Sequence, residues 1–505
     1  MSKLLYSSQE RPDERLPVTA PLNQVNSSFI TGRLVVSLAG AVTLVAAVTW
    51  TGFGSASLSL QGALALSIFI IAIWAWVFSP LTDTYVSLAA AVALVLTGII
   101  STEQFTASLG TSAVWLLVAA VVMAQVLTAS GLTRRLTAQL VSRARTPRQL
   151  AYLFNLALFL TVYLVPSPSG RAALALPIYQ ALADALGNRP ALVKALGILA
   201  PASILVSAVA SFIGAGAHLV TSEILTAYGL ETIGFLEWMI LGSGLGLLAS
   251  LVVTELVLQL FGPSREEQGP IEVTVADFEQ ASDTPVRGPL TAPERNIALV
   301  LLVAVLLWCT ETLHGLTPVI VAVLGALAAT APGVSSIKLG AALKKAPWPM
   351  LLFMAATLAI GTGLADSGAA SWLAESLFAP VSQLGSSGSA IFILMVILIS
   401  TAAHLVIQSR SARSAVLIPL VITAALPLGV NPVAAAFIST AAAGFCHTLT
   451  SSAKPVALFA NMDGRPTYTP ADLLKLSAWL APLHAMLIAL FSFFIWPLLG
   501  LPLYT

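Results

Sequence analysis

One arrangement of serine and arginine occurs twice in this chain. Residues 166–178 read PSPSGRAALALPI, and residues 408–420 read QSRSARSAVLIPL. Ser167, Ser169, Arg171 and Pro177 thus answer to Ser409, Ser411, Arg413 and Pro419, each 242 positions on (409 − 167). Hydroxyls, guanidinium groups and the free N–H groups of an interrupted backbone are all donors, and convergent donors suit an anion. The apolar run after each break reads as helical, which would turn the positive end of its dipole toward the same place. An arginine inside a bilayer costs about 2.5–3.5 kcal/mol on insertion scales, a cost that a ligand or partner must offset. The plainer alternative is that each arginine snorkels to the near interface from a shallow tip. Arg410 stands between the second pair of serines, where the first copy has Pro168. Facing the site and facing outside water are equally open for it.

A second pair of interruptions follows. IGAGAHLV at 213–220 is echoed by LTSSAKPV at 449–456, which sets His218 against Lys454, beside Gly214 and Gly216 in one copy and Thr450, Ser451 and Ser452 in the other. A mid-span ammonium needs an acceptor, whereas a lone histidine is as readily a packing residue. The candidate substrate-binding set is therefore Ser167, Ser169, Arg171, Ser409, Arg410, Ser411, Arg413, His218, Thr450, Ser451 and Lys454. No HExxH, paired-carboxylate or Ser/His/Asp spacing occurs in the apolar runs, so no catalytic residue or metal site is expected.

The elements that must position these residues are membrane helices. The 505-residue chain is 57% hydrophobic and only 9% charged, with a mean hydropathy of +0.92, which excludes an ordinary soluble enzyme. The near-balanced charge, 23 basic against 22 acidic residues, gives no nucleic-acid footprint. Both cysteines, Cys309 and Cys446, lie in apolar segments, so no disulfide framework is expected. A bilayer needs about 20 apolar residues per helix. Such runs fall near 34–50, 60–79, 85–101, 112–130, 190–225 and 236–261, and again near 296–313, 318–333, 349–366, 412–460 and 474–500. The stretches 150–185 and 388–425 are each interrupted at their middle and read as re-entrant hairpins. The expected fold is an all-α membrane protein of about 11 transmembrane helices plus two such hairpins.

The organisation expected is a cytoplasmic tail (1–30), a first transmembrane helix (31–58), repeat 1 (59–261, with its hairpin at 150–185 and a broken helix near 200–225), a cytoplasmic linker (262–295) and repeat 2 (296–505, with its hairpin at 388–425 and a broken helix near 433–460). Five crossings per copy force the second to enter from the opposite face, the inverted-repeat plan of secondary transporters. Lysine and arginine gather on the cytoplasmic side. Arg134, Arg135, Arg143, Arg145, Arg148, Lys338, Lys344, Lys345 and Arg465 all fall in loops that this layout puts inside. It predicts a multi-pass protein of the cell (inner) membrane, N-terminus in the cytoplasm and C-terminus outside. Fixed positive charge in the cavity outweighs negative, so the expected cargo is a small multivalent anion.

Over about residues 60–500, the chain resembles the divalent anion/sodium symporter family of dicarboxylate, tricarboxylate and sulfate carriers. The resemblance rests on the paired tips and breaks and on SGLTRRLTAQL at 130–140. In that family each tip carries Ser-Asn-Thr ten residues before a proline. Here Ser167-Pro168-Ser169 and Ser409-Arg410-Ser411 hold those places, so both asparagines that would surround sodium are missing. An arginine at the fifth position resembles the sodium-independent exchanger branch. The resemblance implies anion exchange, a homodimer and elevator motion, with no cofactor and sodium not favoured. The rival is sodium- or proton-coupled symport of the same anions, with Ser167, Gly214, Ser409 and Thr450 as ion ligands.

Overall fold

The computed structural model describes residues 58–279, 286–382, 386–462 and 465–505, with 40, 42, 43, 45 and 46, the side chains of 265, 266, 377–382, 386 and 465 aside. The tail expected at 1–30 and most of the first helix expected at 31–58 lie outside the described residues. What is described is nearly all helix, with one two-residue ladder pairing Asn461–Met462 with Arg465–Pro466. This is an all-α membrane protein. Among the described residues, nine helical stretches are long and apolar enough to cross a bilayer, and three shorter apolar helices accompany them.

The order of helices runs twice. In the first half come α1 (Leu60–Phe78), α2 (Asp83–Leu96), α3 (Ser112–Ser130), α4 (Leu132–Val141) and α5 (Pro147–Leu160). After a break follow α6 (Pro168–Ala185), α7 (Pro190–Val206), α8 (Gly216–Ala227) and α9 (Phe235–Phe261). The second half answers with α10 (Ala292–Cys309), α11 (Pro318–Ala329), α12 (Trp348–Asp366), α13 (Ala369–Ser382) and α14 (Ser386–Ala402). Its break leads to α15 (Arg410–Ala425), α16 (Pro432–Ala442), α17 (Lys454–Phe459) and α18 (Pro470–Leu490).

Packing repeats with the order. Helix α2 lies along α12 and α11 along α3, so each half's second helix meets the other half's third. In the same way α8 packs on α15 and α17 on α6. The two halves are therefore interlocked, and each supplies the elements that close the other's broken hairpin. Local chemistry starts many of these helices: Ser59, Thr82 and Thr146 cap α1, α2 and α5 through their hydroxyls, and prolines open α5, α6, α7, α11, α16 and α18. Close approach needs small residues: a Cβ at Gly242 of α9 would come within 2.0 Å of the Val209 carbonyl oxygen.

One loop charge is not where the layout put it. Arg135 is buried, with Nε donating to Glu294 Oε1 at 2.7 Å and a guanidinium nitrogen donating to the Gly288 carbonyl at 2.7 Å. Glu294 also completes a capping box with Thr291 at the start of α10. The pair therefore locks α4 to the start of the second half, where losing one partner would strand a buried charge.

Candidate functional site

Both breaks close with the same cap. At the first, a 3₁₀ turn at Thr161–Tyr163 ends α5, and the Gly170 N–H then donates to Ser167 Oγ at 3.1 Å to begin α6. At the second, a 3₁₀ turn at Ala403–Leu405 ends α14, and the Ala412 N–H donates to Ser409 Oγ at 3.3 Å to begin α15. The matched serines are thus helix N-caps. They differ in strain. Ser409 has φ −69°, whereas Ser167 has φ +100°, the only positive φ at a non-glycine among the described residues. A side chain held there costs about 1–3 kcal/mol and persists where its surroundings enforce it.

The later breaks also match, though in a register shifted from the expected one. Ala215 (φ −154°, ψ 149°) caps α8 and Ala453 (φ −156°, ψ 146°) caps α17. Equivalence of these caps, 238 positions apart (453 − 215), makes Gly216 the counterpart of Lys454. The expected pairing of His218 with Lys454 is therefore out by two residues, because the backbone break rather than the charged residue marks equivalence.

All four interruptions converge on one cavity of about 580 Å³. Ser167, Pro168 and Ser169 reach it from the first tip, and Ser409, Arg410 and Ser411 from the second. Gly216 comes from α8, and Ser451, Ser452 and Lys454 come from the start of α17. The N-terminal ends of α6, α8, α15 and α17 all face this space, so their unpaired N–H groups and dipoles add positive potential. Among the described residues, Asp83 is the single acid on the lining. The remaining wall comes from α1, the start of α2 and α12, through Trp76, Leu81, Met350 and Phe353 among others.

The cations divide sharply. Arg410 lines the cavity; its Nη2 donates to the carbonyl oxygens of Leu205 at 3.1 Å and Gly444 at 2.7 Å, near the ends of the duplicated helices α7 and α16. Its Nη1 is buried and has no hydrogen-bond partner among the described residues. Lys454, the first residue of α17, is exposed to the cavity and forms no ion pair among the described residues.

Arg171 and Arg413, expected in the site, stand outside the cavity lining and are 1% and 0% exposed. Arg171 donates to the carbonyls of Leu158 (2.7 Å) and Ile204 (2.8 Å) and to the hydroxyls of Thr161 (3.0 Å) and Ser207 (2.9 Å). It ties the open C-terminal end of α5 to α7. Arg413 donates to the Phe445 carbonyl at 3.2 Å with Cys446 beside it, while its Nε and Nη2 are buried without a hydrogen-bond partner among the described residues. An interrupted helix in a membrane leaves carbonyls that water cannot reach, and the Arg171 guanidinium satisfies two of them at once.

The other expected residues separate in the same way. His218 is buried off the cavity, its Nδ1 at 2.9 Å from the Ser211 carbonyl and its ring stacked on Trp238. Thr450 and Gly214 also lie off the lining. A Cβ at Gly214 would fall 2.2 Å from the Ala208 carbonyl oxygen, so that glycine serves close packing. Sequence reasoning missed Trp76, Met350, Phe353 and Cys446 on the cavity wall, since apolar residues inside apolar spans carry no distinguishing signal.

A family model described as the sodium:sulfate symporter transmembrane region matches residues 35–501. A membrane protein of Cupriavidus necator is 26% identical over 337 residues, covering 65% of this chain and 64% of that protein. Dicarboxylate transporter 1, chloroplastic, of Spinacia oleracea is 26% identical over 443 residues, covering 85% of this chain and 74% of that one. Among solved structures, the YdaH transporter of Alcanivorax borkumensis aligns with a TM-score of 0.53 at 16% identity, over 82% of this chain and 90% of that one. MtrF of Neisseria gonorrhoeae, described with a class of antimetabolite efflux pumps, aligns with a TM-score of 0.57 at 16% identity, over 91% and 99%. The two structures share the fold.

Proposed function

Since this chain belongs to the sodium:sulfate symporter transmembrane family and is a membrane transporter of anions rather than an enzyme, we propose that it works by exchange, carrying small multivalent anions of the dicarboxylate, tricarboxylate or sulfate kind. The observation that carries the reading is Arg410. A guanidinium anchored on carbonyls from both halves is a permanent cation on the lining of the cavity. A carrier with a built-in cation presents a positive, unneutralised site when empty. Moving that charge unpaired through the apolar interior is costly, so the empty form crosses slowly and the loaded form fast, which is the condition for exchange. Lys454 and the four helix N-termini supply the remaining attraction. The dicarboxylate specificity named for the spinach relative is compatible with two cations and a single acid on the lining.

Sodium symport through Ser167, Gly214, Ser409 and Thr450 has less support. The two serine hydroxyls are engaged as caps, and the other two residues lie off the lining. The family-like motion would carry the hairpins with α7, α8, α16 and α17 as one body past α1–α3 and α10–α12. A homodimer, an N-terminus in the cytoplasm, a C-terminus outside and the repeat boundaries given above complete the proposal. The test is uptake by proteoliposomes. Exchange predicts uptake that needs an internal counter-anion and ignores a sodium or proton gradient. Gradient-driven uptake into vesicles lacking counter-anion would establish symport instead.

A further inference from the structure

The cavity is chemically lopsided in a way the duplication does not require. Lys454 opens α17, which packs on the first hairpin, so the ammonium brings a cation to that end of the cavity. At the opposite, equivalent corner α8 packs on the second hairpin, and the residue in Lys454's place is Gly216. That corner is filled from elsewhere: a Cβ on Gly216 would lie 1.5 Å from Met350 Cε and 3.3 Å from Ser411 Oγ. A methyl group thus stands where a symmetric carrier would place its second flanking cation. One turn on, Phe353 lines the same wall, with its ring 6.3 Å from that of Trp76. Trp76 spends its one polar group on the Asp83 carbonyl, through Nε1 at 3.3 Å, so the cavity meets only its apolar ring. Arg410 lines the cavity from the second tip.

A symmetric chain dicarboxylate would put one carboxylate against Met350 and Phe353, where it meets Ser411 and the start of α8 but nothing equivalent to Lys454, a weaker pairing for a desolvated charge. The cavity's 580 Å³ falls within the roughly 300–1,000 Å³ typical of pockets for drug-sized ligands, which leaves room for a body beyond the charged groups. We propose that the cargo is an anion whose charge is gathered at one end, toward Lys454 and Arg410, and whose other end is an apolar, branched or aromatic body lodged against Met350, Phe353 and Trp76. The proposal rests on the anion-transport reading and narrows its substrate class. Met350 and Gly216 are then the residues that set specificity.

The experiment is counterflow by the full chain in proteoliposomes, comparing sulfate, succinate and phenylsuccinate, whose two carboxylates are flanked by a ring. The expected result is half-saturation for phenylsuccinate at least tenfold below that for succinate. Met350→Lys, which returns a cation to the apolar corner, should erase or reverse that preference. Met350→Ser, a milder change in case the lysine variant does not fold, should reduce it severalfold. Exchange of succinate and phenylsuccinate with equal half-saturation, or a preference untouched by both variants, overturns the lopsided-site proposal and leaves anion transport standing. No counterflow with any of the three anions overturns both.

Discussion

The two hairpin tips share two serines, an arginine and a proline, yet they deploy positive charge differently. At the first, Arg171 is consumed by two carbonyls and two hydroxyls, and nothing charged from that tip reaches the cavity. At the second, Arg413 takes up the interior position, while Arg410, with no equivalent in the first copy, reaches the cavity. The arginine both copies keep is buried behind the break; the arginine only one copy has lines the cavity. The physical reason is that both breaks expose the same kind of orphan carbonyls, whereas a bound anion has no need to share the protein's internal symmetry.

If that division holds, removing the unmatched arginine should hurt transport most. Arg410→Ala is expected to lower exchange roughly 100-fold or more, since truncating one side of a desolvated charge pair costs about 2–5 kcal/mol, with a smaller loss of melting temperature than removing Arg171, because it orphans two part-buried carbonyls rather than two carbonyls and two hydroxyls in the interior. Counterflow rates and a thermal melt of the purified protein check both halves of the statement. Arg171→Gln should do the reverse. Several buried acceptors lose their donor, for a loss on the order of 3 kcal/mol, seen as a lower melting temperature in ligand-free protein. An Arg171 variant that melts like the parent but no longer binds anions would end the distinction drawn between the tips.

Lys454→Gln should weaken apparent affinity about tenfold, or ~1.4 kcal/mol, because the ammonium is exposed to the cavity and acts at a shorter reach of desolvation than Arg410. Titration of counterflow against external anion would show it, and an unchanged half-saturation would remove Lys454 from the charged end. The smallest effect separates the two caps. Ser167→Gly relieves a left-handed side chain at little capping cost and should stabilise by about 1 kcal/mol. Ser409→Gly, at an ordinary φ, should destabilise by about 0.5 kcal/mol. Equal shifts in the two melts would mean that the first tip is unstrained.

Much of this was legible in advance. Spans, hairpin breaks and the 242-residue duplication rest on local composition and on capping residues, and Ser167 and Ser409 could be picked out by pattern alone. Arg171 and Arg413 were marked as charges at breaks, but a charge at a break has two kinds of partner, a ligand or the chain's own carbonyls. Which is nearer depends on helices far away in sequence, such as α7 with its Ile204 carbonyl and Ser207 hydroxyl. Arg135 failed as a loop charge for the same reason, its partner Glu294 being 159 residues distant.

By itself the sequence determined a duplicated all-helical membrane protein with two interrupted hairpins, because hydropathy, caps and breaks act over a few neighbouring residues. Only the tertiary structure decided that Arg410 and Lys454, rather than Arg171, Arg413 and His218, face the cavity, that Gly216 is the counterpart of Lys454, and that Met350 fills the corner beside Gly216. Those outcomes depend on which surfaces meet when the halves interlock, and side-chain direction at a break follows from that long-range packing.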